Sequence, residues 1–350
     1  MNTKVSLKVL FLFLIIAMLV SCSRNKSDKI IYGISPFQDT SMPKVAEGMG
    51  LYEQNNLNVE LVSVAWEDVI PSIASGGRTI DIGIGSINLL LPRAENINVL
   101  GGGDVTFYFP LYVFKGASLM MNKELKIKTI SDFLELYPDD RNRAMKIGLP
   151  QGTPYEQMLL AALKIAGMSP ENDIDLRYVK LSDGLPAFLS GNLDIVGAGV
   201  TQRTEAMRYG HKIFIDMESL GFAEIIGIVT TKRFAEKHPS ELKKLIYIWF
   251  ESVEKLMSDV DKHSKHVLEY LSATASTRYT LEEYKRALNF QEFPTSIEKA
   301  KSLFADEKGK FYWKRTWDIV NSYLLDTGKI KKPIPYDYYW GDKIFKIIEE

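Results

Sequence analysis

A two-lobed α/β fold, with the second lobe inserted into the first, is what this 350-residue sequence predicts. Three observations lead there. The chain is longer than one hydrophobic core usually serves, its elements alternate strand and helix, and one passage occurs twice. "EDVIPSIASGGRTIDIGIGS" (67–86) returns as "SDGLPAFLSGNLDIVGAG" (182–199): Asp68 answers Asp183, Pro71 answers Pro186 and Ser75-Gly76 answers Ser190-Gly191, all at an offset of 115 residues. Two extra residues in the first copy then precede Asp81-Ile82, which answers Asp194-Ile195.

The body begins with "KIIYGIS" (29–35), a β-rich run, followed by "MPKVAEGMGLYEQNNL", whose apolar residues recur at helical spacing as far as Gly50. "NVELVSVA" (58–65) alternates as a strand does, Asp68 to Ser75 reads as a helix stopped by "GGR", and "IDIGIG" (80–85) is a buried strand. The order β-α-β-α-β points to a parallel sheet with helices on its faces. Residues 145–199 repeat it, with Gly148 lying 115 residues after Gly33. "FYFPLYVFKG" (107–116) and "EIIGIVTTKRF" (224–234) read as two crossing segments, so lobe I is expected at 29–112 and 224–350 and lobe II at 113–223. Beyond 232 the chain turns to amphipathic helices that should pack back on lobe I, closed by the aromatic "PIPYDYYW" (333–340) as a clamp.

Residues 1–22 stand apart. Lys4 and Lys8 precede the apolar run "VLFLFLIIAMLV" (9–20), which is short for a membrane span and suits a secretory signal. Cys22, the only cysteine, follows Leu19-Val20-Ser21 in the manner of a bacterial lipobox, which makes it the expected lipidation (palmitate) site, with 23–28 as a tether. The exported body then has no intramolecular disulfide. Composition is that of an ordinary globular protein, 46% hydrophobic and 25% charged with a formal net charge of −1, so no global field calls for nucleic acid.

Ligands of open α/β sheets bind at the carboxyl ends of strands, and two facing lobes set two such rims across a cleft. On lobe II the rim is "QGTPYEQ" (151–157): Thr153 is placed to cap a helix, Pro154 takes its first position, Glu156 completes a capping box, and Gln151 and Gly152 let a ligand approach the first turn. The matching turn of lobe I offers Gly85 and Ser86. Phe37 and Gln38 follow the first strand, Trp66 and Glu67 the second, and Val200 and Thr201 the last strand of lobe II. Either aromatic belongs to packing or, facing the cleft, favours an organic ligand over a bare anion. Glu224 is placed to reach a ligand amine or to make a hinge hydrogen bond, and Arg203 reads as an exposed helical arginine. Gly101-Gly102-Gly103 lacks the spacing of a phosphate or dinucleotide loop.

Four histidines, with one close pair (His263, His266) on a charged helix, no serine elbow, no zinc signature and no second cysteine give little support to enzyme chemistry, a metal or a cofactor.

With "VAEGMGLYEQNNLNVELV", "SIASGGRTIDIGIGS", "IKTISDFL" and above all "KIGLPQGTPYEQMLLAALKIAGMSPENDIDLRYV" in view, the chain resembles the lipoprotein form of periplasmic substrate-binding proteins of ABC importers, in the nitrate/sulfonate/taurine/thiamine-precursor group, over about 29–235. That resemblance implies a two-lobe type II periplasmic binding protein fold on a two-strand hinge, here with a helical C-terminal extension. It also implies a monomer that closes on a small-molecule ligand without acting on it and delivers it to an ABC permease and ATPase, held at the membrane by its lipid anchor, periplasmic or at the cell surface. By the same similarity the loops at Phe37-Gln38, Gly85-Ser86, Gly152-Thr153 and Val200-Thr201 line the pocket. "GAGVTQRTEA" departs from the Trp-x-Pro-type segment of sulfonate and nitrate members, so ligand identity does not transfer. The alternatives are an enzyme of the same fold acting on a pyrimidine precursor and a surface sensor without transport.

Overall fold

A computed structural model describes residues 28–75, 79–94, 104–129, 132, 144–221, 223–274 and 278–340. The export signal, Cys22, nearly all of the tether and Gly101-Gly102-Gly103 lie outside the described residues.

The chain begins the first sheet with β1 (Lys29–Ile34), β2 (Asn58–Ser63), β3 (Ile82–Ser86) and the long β4 (Val105–Phe114). It then builds a second sheet from β5 (Ser118–Met121), β6 (Met145–Leu149), β7 (Ile174–Tyr178), β8 (Ile195–Ala198) and β9 (Lys212–Asp216). It returns through β10 (Glu224–Thr231) to the first sheet, which β11 (Gln291–Glu292) completes. The strand orders are β11-β4-β10-β3-β1-β2 and β7-β6-β8-β5-β9. Two lobes follow, one per sheet, joined where β4 runs into β5 and β9 into β10. Neither sheet is wholly parallel as the strand–helix alternation suggested: β1 pairs parallel with β2 and β3, and β6 with β7 and β8, while the strands next to the crossings, β4, β5, β9 and β10, pair antiparallel. The chain leaves the first lobe through β4 and returns to it through β10, so these two crossing strands run in opposite directions side by side, as do β5 and β9 in the second sheet.

The duplication holds down to single atoms. Tyr32 faces Ile82 across β1 and β3 as Ile147 faces Ile195 across β6 and β8. Asp81 Oδ2 accepts the Ile31 N–H at 2.8 Å, and Asp194 Oδ2 accepts the Lys146 N–H at 2.9 Å. The repeated aspartate thus ties the end of one strand to its neighbour, which a hydrophobic residue there could not do. Gly33 and Gly148 share a reason too: a Cβ would meet Ile80 Cδ1 at 2.6 Å in the first lobe and Leu193 Cδ1 at 2.4 Å in the second.

The C-terminal helices cover the first sheet. Pro239–Ser258 turns Leu242, Leu245, Ile246, Trp249, Phe250 and Val253 inward, and Trp249 stacks on Tyr112 of β4 with centroids 5.8 Å apart. The segment read as one long helical stretch from 238 is broken at Asp259, whose side chain caps a new turn by accepting the Lys262 N–H at 3.0 Å. The aromatic tail is a clamp on lobe I: Tyr339 stacks on Trp313 at 3.6 Å, Trp340 N–H donates to Phe107 O at 2.9 Å, and Trp317 Nε1 donates to Ile334 O at 2.9 Å. The extension does more than cover lobe I, because Tyr279, Glu283 and Lys329 each bond to a lobe II side chain.

Candidate functional site

The rims of the two sheets meet around a small void of ≈ 30 Å³ lined from lobe I by Phe37, Asp39, Trp66 and Glu224, from the end of the crossing strand β4 by Phe114, and from lobe II by Tyr155, Leu181 and Val200, with Gln38 and Thr40 completing the lobe I wall. Each position follows from the local chain. The loop after β1 folds back on itself, Thr40 Oγ1 and Ser41 Oγ both donating to Ser35 O at 2.9 and 3.1 Å, and this presents Phe37 to Asp39 inward. Trp66 opens the single 3-10 turn after β2 and is buried. Glu224 is the first residue of β10, paired in register with Phe114, so it stands at the hinge itself.

A hydrogen-bonded shell holds these groups. Tyr279 OH donates to Thr201 Oγ1 at 2.9 Å, and Thr201 Oγ1 donates to Gln38 Oε1 at 3.4 Å. With the Gln291 amide oriented to satisfy its neighbours, its Oε1 accepts from Gln38 Nε2 at 2.9 Å. Tyr284 OH donates to Gln38 O at 3.4 Å. Thr201 is therefore a support of Gln38 rather than a wall of the cavity. Ser86 likewise stands behind the wall: it accepts the Leu89 N–H as a helix cap at 3.0 Å and donates to Glu224 Oε1 at 2.7 Å. Gly85 lies within β3, where a Cβ would come within 3.0 Å of Val229.

Two buried carboxyls give the cavity its electrostatics. Burial pushes Glu224, only 3% exposed, up to about 8, with the Ser86 hydrogen bond opposing and the Asp39 charge adding. Burial also raises Asp39, to about 6, against the stabilising bonds from Tyr112 OH (3.0 Å) and the Thr40 N–H. Burial thus favours the protonated form of both carboxyls, more strongly for Glu224 than for Asp39. Among the described residues no lysine or arginine lines the void.

Glu67 is turned to the opposite lobe. Its Oε1 accepts the Leu181 N–H at 2.7 Å, the first backbone donor of helix Leu181–Leu189, while neighbouring Asp68 pairs with Lys180 at 2.5 Å. A carboxylate at a helix N-terminus is favoured by both the free N–H and the helix dipole.

Gln151, Gly152 and Thr153 line a neighbouring cavity with Arg93, Glu156 and Lys329. The expected capping box is absent, which corrects the sequence reading. Thr153 Oγ1 donates backward to Pro150 O at 2.6 Å, and the Glu156 carboxylate accepts the Gly152 N–H at 2.8 Å instead of the Thr153 N–H. Competition explains it: Tyr178 OH (2.6 Å) and Lys329 Nζ (2.8 Å) also bind Glu156 and draw it off the helix end, and Arg93 Nη1 and Nη2 take the Gly152 and Gln151 carbonyls at 2.8 and 3.2 Å. Asp39, Tyr155, Leu181 and Phe114 were not singled out by the sequence. Asp39 and Tyr155 adjoin singled-out residues, so extending each strand-end loop by one or two positions would have found them.

A family model described as NMT1/THI5 like matches residues 42–261, which is more than half of the chain. The chain belongs to the NMT1/THI5-like family. No curated protein matches it in sequence. Among solved structures it is similar to the periplasmic aliphatic sulphonate binding protein SsuA from Escherichia coli (TM-score 0.61, 14% identity, 88% of this chain and 90% of that one). The alkanesulfonate-binding protein SsuA from Xanthomonas axonopodis pv. citri, bound to MOPS, gives 0.64 at 16% identity over 90% and 99%. The periplasmic nitrate-binding protein NrtA from Synechocystis PCC 6803 gives 0.60 at 14% over 87% and 91%. At such identities the likeness is one of fold, and the fold is the two-lobe fold of periplasmic binding proteins. Among the described residues no helix is long and apolar enough to cross a membrane, and no three His, Cys, Asp or Glu side chains gather to hold a metal ion.

Proposed function

We propose that the chain is the extracytoplasmic solute-binding component of an ABC importer, capturing a small organic solute between lobe I (29–112 and 224–350) and lobe II (113–223) and releasing it unchanged to a permease. The lipobox-like Cys22 supports anchoring at the bacterial membrane, and the family and its structural relatives support the binding role over the enzyme reading. The observation that carries the proposal is a cavity shared by both rims and walled by Trp66, Phe37 and Tyr155. Aromatic faces of this kind suit a flat organic body.

The carboxyls refine the class. With Asp39 and Glu224 in the walls and no cation facing them, the cavity suits a solute that offers N–H or O–H groups, such as an amine-bearing pyrimidine, better than a bare oxyanion. Taurine, which carries both an amine and a sulfonate, is the intermediate case. A thermal-shift screen of aminopyrimidines, taurine, alkanesulfonates and nitrate tests the order, because a ligand bound only by the folded state raises Tm with its concentration. We expect aminopyrimidines to stabilise the wild type, with the effect lost in Trp66→Ala and reduced in Glu224→Gln. Stabilisation by nitrate alone, or an aminopyrimidine effect unchanged in Trp66→Ala, overturns the assignment.

A further inference from the structure

Outside the central cavity, Arg203 is a buried charge with no ion-pair partner among the described residues. Arg203, on the lobe II helix Val200–Arg208, is only 5% exposed rather than a solvated helical arginine. Its guanidinium lies 3.8 Å from the centroid of the Phe290 ring in the C-terminal extension, and among the described residues it makes no hydrogen bond or ion pair. None of its nitrogens is among the sealed side-chain atoms that lack a partner, so they face the groove it lines. Asp216 acts on it only through space, and burial lowers its affinity for its proton. Stacking on one ring offsets only part of the desolvation of a guanidinium, whose planar fork of donors matches an oxyanion.

The groove is ≈ 600 Å³ and lies between the lobes, with Arg203, Thr204 and Arg208 on one side and Glu283, Arg286 and Phe290 on the other. Its charges do not cancel. Arg208 is engaged by Glu205 at 2.5 Å and by Glu283 at 2.6 Å, and this pairing holds the Glu283 carboxyl down at about 2. Arg203 and the exposed Arg286 remain without an acidic partner among the described residues.

We propose that this groove is a second binding site, for a small oxyanion of the sulfate or phosphate type, held by Arg203 from lobe II and Arg286 from the extension. Because its two halves belong to different lobes, the anion binds the arrangement in which they meet more tightly than any in which they part, and so favours closure. The site stands independently of the solute proposed for the central cavity, where neither arginine faces the void.

The test is thermal unfolding and calorimetry of the full chain titrated with sulfate against chloride at matched ionic strength. The expected result is a saturable rise in Tm with sulfate. Arg203→Gln and Arg286→Ala should each weaken it at least about tenfold, the loss that follows removal of one charge-assisted hydrogen bond, and Trp66→Ala should leave it unchanged. If Arg203→Gln does not fold, Arg286→Ala at its exposed position and Arg203→Lys decide. No sulfate effect beyond chloride, or an effect that survives Arg203→Lys and Arg286→Ala, overturns the proposal. So does one abolished by Trp66→Ala, which places the anion in the central cavity.

Discussion

Glu67 in one lobe accepts the first backbone N–H of the helix that begins at Leu181 in the other, at 2.7 Å, so a helix N-terminus of lobe II is completed by a lobe I carboxylate. The segment carrying Glu67 is the repeat partner of the segment it caps. Twin rims thus touch each other directly.

Glu67→Ala should therefore loosen the contact between the lobes by about 1–2 kcal/mol, the worth of a carboxylate at a partly buried helix N-terminus. Small-angle scattering is expected to show a larger radius of gyration for the variant. Asp68→Ala, whose pair with Lys180 is about half exposed on both sides, should change nothing measurable. Equal effects from the two variants would refute the distinction.

Glu224 makes stability depend on pH with a definite sign. Its carboxyl titrates at about 8 in the folded protein and at the ordinary carboxyl value when unfolded, so between roughly pH 4.5 and 8 the folded state binds more protons. Stability contributed by the protonated group is complete below that window and is lost as pH rises through it. Urea melts across the window should show the decline in the wild type and a flatter profile in Glu224→Gln; parallel profiles would remove the assignment.

The duplicated glycines should fail alike. Gly33→Ala and Gly148→Ala each push a methyl into a packed side chain, Ile80 and Leu193 respectively, for a predicted loss of roughly 1–3 kcal/mol. Pairing each with Ile80→Val or Leu193→Ala should recover part of the loss in denaturant titrations. A neutral Gly33→Ala would mean the two lobes do not share this packing.

Lys329 is one of the extension residues that hold lobe II, beside Tyr279 and Glu283. Removing it in Lys329→Ala leaves Glu156, 2% exposed, without its cation, though Tyr178 and Gly152 still bond to it. A destabilisation of about 1–3 kcal/mol is expected in urea melts, with most of it regained when Glu156→Gln is added. Additive losses in the double variant would argue that the pair does not act as one unit.

The duplicated architecture was legible because Asp81, Asp194, Gly33 and Gly148 are retained for backbone reasons that a constant offset exposes. Phe37, Gln38, Trp66, Val200 and Glu224 were legible as cavity residues because strand ends dictate where loops open. Gln151 to Thr153 went to a neighbouring cavity because Arg93, distant in sequence, claims the carbonyls of Gln151 and Gly152. The support of Gln38 by Tyr279, Tyr284 and Gln291 spans some 240 to 250 residues and arises from how the tail packs, which no local pattern records. Arg203 misled for the same reason: the helix "VTQRTEAMR" is polar by itself, and the ring that stacks on the Arg203 guanidinium, Phe290, comes from the tail.

The central claim is that both rims grasp one organic guest, between Trp66 and Glu224 of lobe I and Tyr155 of lobe II. A crystal structure with the solute that most raises Tm decides it: density is predicted against Trp66, Phe37 and Tyr155, with a donor group on Glu224 or Asp39. A solute bound elsewhere, or lying on one lobe without touching the other, would contradict the account.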